Sequence, residues 1–207
     1  MFQRKLSEQN IEQYFDSYDR DNYLNEAQDL IVRELAPNVE RDELIRTYLG
    51  AITKNTSVTP IVSTGFHPNG TYVSLPSDFF ITLSEEIKDS SGNRIKIKPQ
   101  KFDYYTSNIA NPFKKPYEDL AWRLDGGLDA LGNKRHEIIS TVGFTTYYIS
   151  YLTEPKEMSL SSETDCELHS GLHKAIVERA VTLALTDIER GRIKRGEKET
   201  VKTNSNN

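Results

Sequence analysis

Cys166, His169 and His173 are spaced i, i+3 and i+7, so one face of a helix would carry all three. Thiolate and imidazole at that spacing are the donors a zinc ion takes, and an open fourth position would activate a water for hydrolysis. The pattern lacks the glutamate that a zincin helix places between its histidines. Two histidines at a packing seam after a cap region account for the same residues without a metal. Other chemistry-bearing patterns are thinner still. Asp125-Gly126-Gly127-Leu128-Asp129 has neither the oxygen ligands nor the closing glutamate of a calcium loop, and it reads as a turn. Gly65 to Gly70 lacks the Gly-Lys-Ser/Thr ending of a phosphate loop. Ser170-Gly171 sits outside any G-x-S-x-G context. His136-Glu137 reads as a surface strand end. Catalytic residues, a resident metal and a cofactor are therefore not expected.

Arg190, Arg192, Lys194 and Arg195 make a basic cluster near the end of the same segment. Two readings stand side by side: cations complementing a helix C-terminus, and a basic extension that docks on an acidic partner. Trp122, the single tryptophan, reads as a core residue of a β-rich part rather than an interface anchor.

The elements that would position these residues come in a simple order. The chain has 207 residues, a net charge of -5 and 36% hydrophobic residues, which is low for a compact globule. That charge speaks against a general binder of nucleic acid or anionic membrane. One cysteine excludes an intrachain disulfide framework. No apolar run is long enough to span a bilayer, and the N-terminus carries no secretory signal, so a soluble protein made in a cytosol is expected. Residues 7–43 are strongly acidic, and their apolar residues keep helical spacing: Ile11, Tyr14, Phe15 and Tyr18, then Leu24, Ala27, Leu30, Ile31 and Leu35, then Leu44, Ile45, Tyr48 and Leu49. The middle changes to strand periodicity at Tyr72–Leu75, Phe79–Ile87 and Arg94–Lys98. Further strands are expected at Ala121–Leu124, His136–Val142 and Thr146–Leu152. Residues 101–117, with Pro112 and Pro116, read as an extended loop. Glu167 to Arg192 reads as a long helix opened by a Thr164/Glu167 capping box. Val177, Ala180, Val181, Leu183, Ala184, Leu185 and Ile188 make it apolar around much of its circumference, which calls for wrapping by other elements or subunits.

The expected fold is α+β: a helical bundle formed by the N- and C-terminal helices, with an inserted antiparallel β-subdomain. Residues 1–55 supply the acidic helices, 56–158 the β-rich insertion, 159–195 the long bundle helix and 196–207 a flexible tail.

Several blocks carry a resemblance: Tyr72-Val73-Ser74-Leu75-Pro76-Ser77-Asp78-Phe79, Asn111-Pro112-Phe113-Lys114-Lys115-Pro116, Trp122-Arg123-Leu124, Tyr147 to Pro155, and the helix from Cys166 to Val181. Their succession, across about residues 20–190, resembles the head-to-tail connector (adaptor or ring) proteins of tailed bacteriophages. It is similar in particular to neck proteins of podovirus-like phages, including the crAss-like group. The resemblance implies a non-enzymatic structural virion protein of the neck or tail, assembled in the host cytoplasm. It implies a homo-oligomeric ring, commonly a dodecamer, beneath a portal protein. Such a ring extends the DNA channel without sequence-specific binding, meets other neck or tail proteins and attaches the tail. The acidic helices would then line the channel, and the tail with its basic cluster would order on the portal. Two other readings remain: a metal-dependent hydrolase using Cys166, His169 and His173, and a glycan-binding virion β-module.

Overall fold

A computed structural model describes residues 17–59, 64–159 and 161–204, with side chains for 19–59, 64–159 and 161–191. The helical sets at Ile11, Tyr14 and Phe15 lie outside the described residues. The chain divides into two compact units, one of residues 1–51 with 155–207 and one of Ile52–Glu154. The class is α+β.

In the helical unit, α1 (Ser17–Leu35) ends where Pro37 enters a 3-10 turn, Ala36–Asn38. Its buried residues Ala27, Gln28, Ile31 and Val32 repeat at i, i+1, i+4 and i+5 and form the inward stripe. A short helix, α2 (Glu43–Tyr48), is capped by the Asp42 carboxylate, which accepts the Leu44 N–H at 2.8 Å. The last helix, α4, runs Ser170–Asn204. It starts later than the spacing of Thr164 and Glu167 implies. Thr164 exchanges backbone hydrogen bonds with Ser159, and Glu167 accepts the Lys156 N–H at 2.7 Å instead of reaching back to a cap. Its helical backbone also continues into residues 196–204, which composition assigns to a tail. Leu172, Ile176, Ala180, Val181 and Ala184 are buried, whereas Val177, Leu183, Leu185 and Ile188 are half-buried. The burial is thus one stripe, narrower than the spread of apolar residues suggests. α1 and α4 touch, with Arg179 paired to Glu34 and the Tyr23 hydroxyl donating to Asp187 at 2.9 Å.

The β-unit is one seven-stranded sheet, ordered β1-β7-β3-β4-β5-β6-β2. The strands are β1 (Thr53–Val58), β2 (Gly70–Ser74), β3 (Phe79–Asp89), β4 (Arg94–Pro99), β5 (Leu120–Leu128), β6 (Lys134–Ile139) and β7 (Phe144–Thr153). β1 was not expected, and it begins inside residues 1–55, the stretch assigned to the acidic helices. The sheet is not wholly antiparallel: β4 and β5 run parallel, Lys98 beside Trp122. A parallel pair needs a crossover, and here the crossover contains a helix, α3 (Phe102–Ile109), where a loop was expected. Eight residues cannot hold a helix in water by themselves. Tyr105 and Ile109, four apart, hold this one by packing on buried Trp122, Leu124 and Ile139.

Register separates two sheet faces. Val73, Ile87, Ile95, Ala121, Ile138, Tyr147, Ile149 and Tyr151 share one apolar cluster on the inner face. Lys96, Lys98, Trp122, Leu124, Glu137 and Ile139 belong to the outer face that α3 covers. Trp122 is a core residue, 0% exposed.

Candidate functional site

The outer face carries the most deliberate construction in the β-unit. Glu137, expected at a strand surface, is 1% exposed. A buried carboxylate must be satisfied or it costs several kcal/mol. Glu137 Oε1 accepts the His67 N–H at 2.6 Å, and Oε2 lies 2.9 Å from His67 Nδ1. The Asn69 backbone turns through the left-handed region at φ 60°, and Gly70 N–H closes the loop onto His67 O at 2.9 Å. Glycine is required on both sides of the carboxylate, because a Cβ at Gly65 or Gly70 would collide with Glu137 Oε1 and with backbone. The residues that fail as a phosphate loop are thus a clasp around one buried acid.

The clasp fixes an aromatic group. The His67 ring lies 5.0 Å from Phe66, 5.7 Å from Phe102 and 4.0 Å from Tyr105, and Tyr105 meets Trp122 edge-on at 6.2 Å. Inner members are covered, but Phe66 is 80% exposed and Phe102 52%. Phe113, on the connection leading from α3 to β5, is 95% exposed. Lysines 96, 98, 101, 114 and 115 are exposed around the same elements.

The inner face holds a second polar centre. His136 is buried, not a surface residue. Its Nδ1 lies 2.9 Å from the Tyr147 hydroxyl, which donates to Glu85 Oε2 at 2.8 Å. Arg123 brings Nη1 within 3.1 Å of Glu85 Oε1 and donates to Thr82 Oγ1 at 2.9 Å. Glu85 Oε1 has the ion-pair distance but no hydrogen bond of good geometry, so the pair is electrostatic more than directional. Burial, then the Arg123 guanidinium, lowers His136 to about 3, so the imidazole is neutral near pH 7. Burial raises Glu85, partly offset by Arg123 and the Tyr147 hydroxyl. Burial and Glu85 also drive the Tyr147 phenol upward. A neutral histidine donating to a phenol that donates to a paired carboxylate is a closed structural network. It leaves no activated nucleophile.

The Cys166, His169 and His173 set does not converge. Cys166 and His169 precede α4, so the helical spacing does not apply to them. The Cys166 thiol, its pKa raised by burial, donates to Gln28 Oε1 at 3.1 Å. His169 caps α4, its Nδ1 accepting the Gly171 N–H at 3.1 Å, and its ring stacks on Tyr48 at 5.3 Å. His173 Nε2 donates to Leu168 O at 2.9 Å. Among the described residues no group of three His, Cys, Asp or Glu is arranged to hold a metal ion. At the suspected turns, Asp125 accepts the Gly127 N–H and Asp129 those of Leu131 and Asn133, a use of both carboxylates as turn caps. Arg190 is exposed near Asp187, while the side chains of Arg192, Lys194 and Arg195 lie outside the described residues.

The two buried acids, Glu85 and Glu137, are held by neighbouring side chains or backbone, and Phe66, Phe102 and Phe113 are left exposed. The sequence model of the family described as phage tail ring protein 3/4 matches residues 5–194. The chain belongs to this family. It is 28% identical to "Ring protein 3" of Bacteroides phage crAss001 over 199 residues, covering 82% of this chain and 84% of that one. It is 29% identical to "Ring protein 4/5" of the same phage over 163 residues, 70% of this chain and 65% of that relative. The resemblance read from the β-middle and the last helix is therefore correct: this is a structural phage ring protein of the crAss-like group. No helix among its described residues is long and apolar enough to cross a membrane. Sequence reasoning missed Glu85, Glu137 and His67. The available signal was weak: Glu85 and Glu137 stand among other polar residues in β3 and β6, and His67 stands in a loop.

Proposed function

We propose that this chain is a non-enzymatic subunit of a homo-oligomeric ring, a dodecamer, that joins the capsid portal to the tail of a phage and continues the DNA channel between them. Its match to the ring protein family along residues 5–194 carries this reading. Helices from both ends of the chain close a bundle, and the inserted β-unit presents the aromatic outer face to neighbours. The acidic α1 region, with Glu26 and Glu34 exposed, lines the channel, where like charge keeps DNA from adhering. The basic end of α4, from Arg190 onward, meets the portal, and other neck or tail proteins close the assembly. It is a virion protein of the neck or tail, assembled in the host cytoplasm.

Negative-stain images of the purified chain, alone and mixed with the portal protein of the same phage, test this reading. Rings with a central opening are expected. A monomer by light scattering under both conditions would overturn it.

A further inference from the structure

We propose that the ring contact is heterologous, with the aromatic outer face of the β-unit of one copy receiving the α2 region, centred on Leu44, of the next copy. This inference rests on the ring reading and names the surfaces that make the ring.

Two observations point to a second copy as the occupant. The first is apolar. Among the described residues of the helical unit, Leu44 is the one large hydrophobic side chain that stands exposed, at 56%. The β-unit displays Phe66, Phe102 and Phe113 with exposures between 52% and 95%. A projecting leucine and the exposed rings of Phe66 and Phe102, both beside His67, are apolar surfaces that could cover each other. The second is electrostatic. Residues 94–115 contain six Lys/Arg and one acid, Asp103. Residues 17–48 contain eight Asp/Glu and four Arg, with Glu40, Asp42 and Glu43 exposed immediately before Leu44. Each surface carries an excess of the charge in which the other is poor, although Arg41 and Arg46 stand exposed on either side of Leu44, and such an excess steers encounter.

The rigidity of both halves suits this role. The Asp42 carboxylate pins the turn that presents Leu44 by accepting the Leu44 and Ile45 N–H groups. Glu137 pins the loop that presents Phe66. Side chains held in place before binding lose little entropy when they bind. Two different patches can pair reciprocally across a two-fold axis, which stops at a dimer, or once per copy in a chain of subunits, and the ring reading selects the second. They join head to tail, and such contacts close into rings when the rotation allows.

The test uses full-length chains with Cys166→Ser as background, one set carrying Leu44→Cys and another Phe102→Cys. Each set is oxidised alone and after mixing. A disulfide-linked heterodimer that forms only in the mixture, and only at concentrations where rings are seen, is expected. Rings that form without that cross-link overturn the contact and leave the ring reading intact. Absence of rings in the unmodified protein overturns both. A second measurement avoids cysteines: Phe66→Ser with Phe113→Ser, 80% and 95% exposed in the monomer, raises the concentration needed for assembly by more than about tenfold while thermal unfolding of the monomer stays within about a few degrees. Assembly unaffected by that pair overturns the contact.

Discussion

At the scale of single residues, the buried acids and histidines decide how the β-unit responds to pH and mutation. His136 is held at about 3 in the folded chain against 6.5 when unfolded. Its contribution is therefore fully present above pH 6.5 and is lost as pH falls through that window toward 3, at about 1.4 kcal/mol per unit. Glu85, raised by burial, has the opposite sign, because its protonation on acidification relieves a cost. Denaturant unfolding at stepped pH should show this directly: in His136→Gln the fall in stability between pH 6.5 and 4 is reduced by up to one proton's worth of slope. An unchanged slope would mean that His136 does not titrate as its burial requires. On the outer face, Glu137→Ala strands the His67 N–H and should cost about 2–4 kcal/mol. Glu137→Gln keeps an acceptor for that N–H and should cost less than half as much. Equal losses in the two variants, measured by urea unfolding, would show that the carboxylate itself matters beyond the clasp.

At the scale of elements, α3 exists because of what lies beneath it. Its sequence, FDYYTSNI, has no side-chain cap and is too short to be stable alone. Tyr105 and Ile109 bind it to Trp122, the chain's single tryptophan, so emission from that residue reports whether the helix is seated. Tyr105→Ala and Ile109→Ala should each destabilise by about 1–3 kcal/mol and shift the emission of native protein to longer wavelength. Loss of stability without a shift would place those side chains elsewhere. The last helix shows the converse relation. Its apolar spread is plain in the sequence, yet one stripe is buried, because a helix buries only what a neighbour reaches, and here that neighbour is mainly α1. The Thr164/Glu167 spacing looked like a cap for the same reason that such patterns mislead. His169, two residues before Gly171, satisfies the first turn, and no spacing rule anticipates a histidine there.

At the scale of the whole molecule, the proposed contact sets the acidic residues 17–48 of one copy against the basic residues 94–115 of the next. Contacts between exposed charges weaken over a Debye length of about 8 Å at physiological salt. If charge steers the proposed contact, assembly should slow several-fold between 50 and 500 mM salt, while rings already formed, held by the aromatic anchors, should persist longer. Stopped-flow light scattering after dilution into each salt would read both rates. Assembly that proceeds equally fast at both concentrations would remove the electrostatic half of the argument.

What the sequence determined by itself were the features that depend on local chemistry. Period-two alternation marks β3, β4 and β7, and Pro37 marks the end of α1. Trp122 was legible as core, since a large indole inside an alternating strand has nowhere else to go. The family was legible too, because ordered blocks survive where no catalytic motif exists. Tertiary structure decided everything that joins residues far apart. Glu137 takes both of its bonds from His67, and Tyr147, itself tied to His136, reaches Glu85 on the neighbouring strand. Sequence spacing cannot show such pairs, because they exist only once β2, β6, β3 and β7 are in register. The same holds for the parallel β4–β5 pair and for α3, whose stability comes from the far side of its contacts. A residue's own type sets what it can bond to, whereas only the folded chain sets what stands within 3 Å of it.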